Sequence, residues 1–125
     1  MDGPLIQGLA GVLIWTEAER YAEMRRFYRD VLGLVPRSDR AEFINFAWGN
    51  VRLSVSVHED VANTAVDPLR VMVNFEVTDI HAAFERLVKL GVTFSRAPEH
   101  EKWGGWVATF NDPDGNTLQL LQPPT

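Results

Sequence analysis

Two stretches of this chain are versions of one another. YRDVLGLV at residues 28–35 and FERLVKLGV at 84–92 read as matching helix ends, and the turns WGN at 48–50 and DGN at 114–116 follow them in turn. A repeat of this kind means that one supersecondary unit is built twice and that the copies pack side by side.

The elements of each unit can be read from local pattern. Residues 9–15 (LAGVLIW) are an apolar run with β-branched and aromatic members, which predicts a strand. Thr16 and Glu19 fit a capping box. Tyr21, Met24, Phe27, Tyr28, Val31 and Leu32 then recur at helical spacing, and Gly33 suits a C-terminal cap, so the spacing predicts a helix over 17–32. Strands are expected over 42–48 and 51–57, joined at Gly49-Asn50 by a two-residue hairpin. Residues 59–68 (EDVANTAVDP) are polar and aperiodic and read as a linker.

The pattern then restarts. A strand over 70–77 leads to a helix capped by Thr78 or Asp79, with Ile80, Phe84, Leu87 and Val88 as its apolar face and Gly91 as its stop. A short strand over 92–95, a loop over 96–104, a strand over 106–110, a DPDG turn and a strand over 117–121 complete the unit.

Composition narrows the function classes. A chain of 125 residues can bury a core as a single domain. With 17 acidic and 12 basic side chains the net charge is −5, so the basic footprint that nucleic-acid binding requires is missing. The MRRFYR run at 24–29 falls on the first helix among glutamates and reads as a solvated face. The acidic balance would favour cationic small molecules as partners. There is no cysteine, hence no disulfide framework and no thiolate chemistry. No stretch approaches the roughly 18 apolar residues of a membrane span, and the N-terminal MDGPLIQGLAG lacks the pattern of a secretory signal. A cytoplasmic protein is expected.

The order of elements, with FYRDVLGL at 27–34 and FNDPDGNTLQLLQ at 110–122, resembles the vicinal oxygen chelate superfamily, which includes glyoxalase I, extradiol dioxygenases and bleomycin-resistance proteins. The resemblance covers nearly the whole chain. It implies an α+β fold of two βαβββ modules, about 5–58 and 69–122, forming an open, barrel-like concave mixed sheet with the helices on its outer face. It also implies a homodimer.

Enzymes of that superfamily hold a divalent metal with His and Glu from strands of both modules. Carried over residue by residue, the first-strand ligand falls on Ala10, the next on Arg52 or Ser54, the histidine of the second module on Met72, and the closing glutamate on Gln119. Zinc, iron and nickel sites need imidazole, thiolate or carboxylate donors, generally about three for catalysis. None of these positions supplies one. His58, His81 and His100 read as exposed polar residues, and EHEK at 99–102 as a solvated loop. No metal and no cofactor is therefore expected.

Strand alternation gives the side chains expected to line a pocket instead. One face carries Ala10, Val12 and Ile14; Arg52, Ser54 and Ser56; Met72, Asn74 and Glu76; and Thr117, Gln119 and Leu121. The opposite set, Leu13, Leu53, Val55, Val57, Val73, Phe75, Val77, Leu118 and Leu120, is apolar and should pack beneath the helices. Arg52 and Glu76 can pair with each other across the cleft or anchor a charged ligand. Trp48, Trp103 and Trp106 can stack on a flat ligand, with WGGW at 103–106 as a mobile flap, or can serve the core and a dimer edge.

The expected function is metal-independent binding of a small molecule, such as an aromatic or cationic antibiotic. The candidate ligand-binding residues are Arg52, Ser54, Met72, Asn74, Glu76, Trp48, Trp103, Trp106 and Gln119. The alternative is a lyase- or dioxygenase-type enzyme with an unusual metal site or with Glu76 as a metal-free general base.

Overall fold

The computed structural model describes residues 4–125. Residues 1–3, part of the stretch read above for a secretory signal, lie outside the described residues. Each half of the chain builds one four-stranded mixed sheet. The first half contributes β1 (Gly11–Thr16), helix α1 (Tyr21–Arg26), β2 (Ser38–Arg40), β3 (Phe43–Trp48) and β4 (Val51–Val57), in sheet order β1-β4-β3-β2. The second contributes β5 (Met72–Glu76), helix α2 (Ile80–Lys89), β6 (Phe94–His100), β7 (Trp106–Asn111) and β8 (Thr117–Gln122), in the order β5-β8-β7-β6. Each sheet thus has one parallel pair, β1 with β4 and β5 with β8, and is otherwise antiparallel. The fold is α+β, as the repeat predicts. No helix among the described residues is long and apolar enough to cross a membrane.

The helices cover one face of the two sheets. Tyr21, Met24, Phe27, Tyr28 and Val31 from the first helical segment, and Ile80 and Leu87 from α2, are buried against Ile44, Phe46, Leu53 and Val55 of the first sheet and Ala108, Phe110, Leu118 and Leu120 of the second. Alternation along β4 and β8 produces this face, since every second side chain points to it. Asp79 caps α2, its side chain accepting from the Ala82 amide at 3.1 Å. Val88, assigned to the apolar face, is instead 47% exposed, because Ala83, Phe84 and Leu87 face the sheet and Val88 lies beside that stripe.

Three local expectations are corrected. The helix expected over 17–32 is a 3-10 turn at Ala18–Arg20, α-helix at Tyr21–Arg26 and a π-helical turn at Phe27–Val31. The wide turn is closed by the Leu32 amide donating to the Phe27 carbonyl at 2.9 Å. Thr16 does not cap this helix. Its hydroxyl is buried and donates to Asp114 Oδ2 at 2.6 Å, 98 residues away, so a long-range partner outcompetes the local one. The loop expected over 96–104 is largely strand β6, paired with β7 through two register shifts, the second of which, between Arg96 and Glu99, spans Pro98.

Asp114 belongs to a clasp between the halves. The Tyr28 hydroxyl donates to Asp112 Oδ2 at 2.6 Å. Arg20 donates from Nε to Asp114 Oδ1 at 2.5 Å and from a terminal nitrogen to the Pro113 carbonyl at 2.6 Å. Within the turn, Asp112 Oδ1 accepts from the Asp114 and Asn116 amides at 2.9 and 3.0 Å, and Gly115 takes a φ of +84° that a side chain would disfavour. Asp112 and Asp114 are each 4% exposed. The FY of the first helical segment and the DPDGN of the last turn are therefore a single structural unit. It fixes how the two halves meet.

Candidate functional site

The face of the sheets away from the helices carries the positions where a metal would sit. Its phasing along β1 differs from the expectation. Val12 pairs with Leu53 and Ile14 with Val55, so both point to the helix side. Gly11, Leu13 and Trp15 share the face of Arg52, Ser54 and Ser56 instead. The run LAGVLIW is apolar at both parities, so nothing in it marks which residues face inward. Ala10 lies just before β1, where its carbonyl accepts from the Arg52 amide at 3.0 Å.

The correction changes the residues but not the chemistry. Glycine, leucine and tryptophan supply no metal donor. Gln119 is held in a cross-strand amide ladder: its Nε2 donates to Asn74 Oδ1 at 2.7 Å, and its Oε1 accepts from the Thr109 hydroxyl at 3.4 Å. Among the described residues no group of three or more His, Cys, Asp or Glu side chains could hold a metal ion. The residues present do not fit a divalent metal held by histidines and carboxylates.

The large concavity lies elsewhere. A cavity of about 890 Å³ opens at the seam between the two halves, on the helix side. Val31, Leu32 and Leu34 wall one end; Val12, Leu53 and Trp48 come from the first sheet; Val73, Phe75, Val77, Phe110 and Leu120 come from the second, and Ala83 and Leu87 from α2. Because β5 is an edge strand, side chains from both of its faces reach the cavity, so Met72, Asn74 and Glu76 line it as well. Arg52 and Arg86 complete the polar part. The Trp48 and Phe75 rings approach across the seam with centroids 6.3 Å apart and planes inclined at 58°. This volume falls within the roughly 300–1,000 Å³ of small-molecule sites, and the mix of apolar wall and few polar groups is theirs too.

The sequence-predicted residues divide accordingly. Arg52, Met72, Asn74, Glu76 and Trp48 meet in the cavity. Ser54 and Gln119 stay on the helix-free face, and Gln119 touches the cavity group only through Asn74. Arg52 and Glu76 form no ion pair among the described residues, which removes the simplest structural role for both.

Trp103 and Trp106 do not line the cavity. Trp106 is wedged between His81 and His100, with ring centroids 4.9 and 5.1 Å away. Trp103 lies over Gly105, where any side chain would collide with its ring. Glu101 and Gly105 are tied by a backbone hydrogen bond of 2.8 Å, and Gly104 has a φ of +102°. In the WGGW turn Gly104 supplies the left-handed backbone and Gly105 leaves room for the Trp103 ring.

Leu53, Val73, Phe75, Val77 and Leu87 belong by sequence to the apolar set expected beneath the helices, and no sequence signal marks Arg86. Their pattern says only that they face the helices. That the helices leave a gap there depends on how the halves are set against each other.

Comparison with known proteins agrees with this architecture. A family model described as Glyoxalase/Bleomycin resistance protein/Dioxygenase superfamily matches residues 18–120. The YetH protein of Bacillus subtilis (strain 168) is 22% identical over 123 residues, covering 94% of this chain and 100% of that protein. Among solved structures, TnmS3, an antibiotic binding protein from Streptomyces sp. CB03234, superposes with a TM-score of 0.74 at 21% identity, covering 97% of this chain and 99% of its own. Lactoylglutathione lyase from Agrobacterium tumefaciens superposes at 0.72 with 17% identity, covering 95% and 96%. At these identities the likeness to the solved structures shows the fold.

Proposed function

We propose a metal-independent, ligand-sequestering role for this chain, which belongs to the Glyoxalase/Bleomycin resistance protein/Dioxygenase superfamily. The observation that carries the reading is the exchange of one site for another. Where enzymes of the superfamily need His and Glu donors, this chain has Arg52 or Ser54, Met72 and Gln119, and β1 offers that face Gly11, Leu13 and Trp15. A cavity of about 890 Å³ lies instead along the edge of β5. Trp48 and Phe75 offer aromatic surface to a flat ligand, and aliphatic side chains surround it. The antibiotic-binding neighbour TnmS3 supports a role of this class.

In this reading the chain works in the cytoplasm as one domain of two modules joined by 59–68, and as a homodimer. Leu13 and Trp15 are 47% and 41% exposed on the helix-free face, and β1 and β5 each leave one edge unpaired among the described residues. A second copy would cover apolar surface and free strand edges together.

Two measurements test the proposal. Elemental analysis of untagged protein after incubation with Zn, Ni, Mn and Fe(II) is expected to find no stoichiometric metal; one equivalent per chain overturns the reading. Val73→Trp, which fills the cavity from β5, is expected to weaken binding of aromatic antibiotics at least tenfold, about 1.4 kcal/mol, as read by isothermal titration calorimetry. Unchanged binding would move the ligand to another surface.

One observation favours the enzymatic alternative: Glu76 stands at the cavity with no ion-pair partner among the described residues. The fold neighbour named a lactoylglutathione lyase makes a lyase the reaction class to assay first. A turnover found there and abolished by Glu76→Gln would establish this alternative. Absence of turnover in both proteins leaves Glu76 a binding residue.

A further inference from the structure

We infer that the molecule taken up at the seam is an amphipathic anion: an apolar, preferably aromatic body carrying a carboxylate. The inference rests on the reading that the seam cavity is the ligand site and adds the ligand's charge to it. Taken as a whole the chain is acidic, with a net charge of −5. The cavity reverses that sign. Its charged side chains are Arg52, Arg86 and Glu76, two guanidiniums against one carboxylate.

The two arginines also differ from many others in the chain. Arg20, Arg25, Arg29, Arg70 and Arg96 each meet an acidic side chain within 4 Å. Arg52 and Arg86 meet none among the described residues, although Glu76 lines the same cavity. A guanidinium beside an apolar wall, with no acidic partner among the described residues, suits a planar oxyanion, because its paired N–H groups match the two carboxylate oxygens. Arg52 and Arg86 are themselves exposed at the rim of the cavity, so the carboxylate would stay at its mouth while the apolar body enters.

The position of Arg52 explains how one ligand would use both surfaces. It sits in β4 on the helix-free side, next to Leu53, which points into the apolar core. Arg86 comes from the other half, on α2, one residue before the buried Leu87. An anion between them would bridge the halves of the chain through its charge while its apolar body lay against Trp48 and Phe75. The overall acidity, read alone, points to a cation; the residues that would touch the ligand point the other way.

The test uses the full chain and two probes with the same aromatic body, pyrene-1-carboxylate and its neutral isostere pyrene-1-carboxamide, followed by pyrene emission. The carboxylate is expected to bind about tenfold more tightly, the scale of one charge-assisted hydrogen-bond pair. Arg52→Gln and Arg86→Gln are each expected to weaken the carboxylate about five- to tenfold while leaving the amide and the thermal midpoint unchanged. Equal binding of the two probes, insensitive to both arginine substitutions, overturns the anion inference but leaves the cavity as the ligand site. If neither probe binds, or if Val73→Trp leaves both unaffected, the cavity reading itself fails and the inference with it.

Discussion

Asp112→Ala is expected to destabilise the protein by about 3–5 kcal/mol, because several buried donors lose their acceptor at once. The carboxylate takes the Tyr28 hydroxyl at 2.6 Å, the Asn116 side-chain amide at 2.9 Å and the backbone amides of Asp114 and Asn116. Tyr28 has no exposed surface, so its hydroxyl cannot turn to water. Tyr28→Phe should cost less, about 1–2 kcal/mol, since Asp112 keeps its other donors. Urea unfolding with a common slope measures both. An Asp112→Ala protein as stable as the parent would mean that the clasp is decoration.

The same carboxyl gives a pH dependence of defined sign. Burial raises the Asp112 pKa above its ordinary 3.8, opposed by the hydrogen bonds from Tyr28 and Asn116. Between the unfolded value and the raised folded value the folded state binds more protons. That contribution therefore favours folding in acid and is lost as the pH rises through the folded pKa. Asp112→Asn removes the titration, so the parent's advantage over this variant should narrow as the pH rises from the unfolded value through the raised folded one. A gap that widens over this range contradicts the assignment. Asp39, held below its usual range by hydrogen bonds from Arg25, acts in the opposite direction but is exposed to solvent screening.

Phe110→Ala is the second large effect, expected at about 3–5 kcal/mol for a fully buried aromatic ring. Phe110 has no exposed surface and meets Phe27 of the first half and Phe94 of the second, at centroid distances of 6.4 and 5.0 Å. It is also part of the wall of the seam cavity. Truncation would thus join a new void to an existing one, and the surroundings could not collapse to fill it. Both the unfolding midpoint and the affinity for pyrene-1-carboxylate should fall. A loss below about 1 kcal/mol would show that the ring is not packed between the halves.

Much of the fold was legible because the signals that set it are local. Gly49, Gly91 and Gly115 stand where positive φ angles are needed, and all adopt them. VRLSVSV alternates strictly, and its faces came out as read. LAGVLIW does not alternate, and its phase was set by pairing with β4 instead. Strand β2, Ser38–Arg40, carries no strand signal at all; it exists because β3 offers it an edge. Thr16 had a plausible local partner in the helix it precedes, yet Asp114 takes its hydroxyl.

The site divides in the same way. That the positions carried over from the superfamily hold no histidine or carboxylate is a property of residue type, and the change of phase in β1, which brings Gly11, Leu13 and Trp15 to that face, adds none. Which side chains surround a ligand is a property of the gap between two halves, and sequence periodicity describes each half separately. So the sequence by itself determined the repeated α+β unit, the turns and the residue types at each position, because backbone conformation and side-chain chemistry are local. Only the tertiary structure decided that the cavity lies on the helix side. The clasp of Tyr28 and Arg20 on the DPDGN turn sets the halves against each other and leaves Arg52, Glu76 and Arg86 around one apolar space.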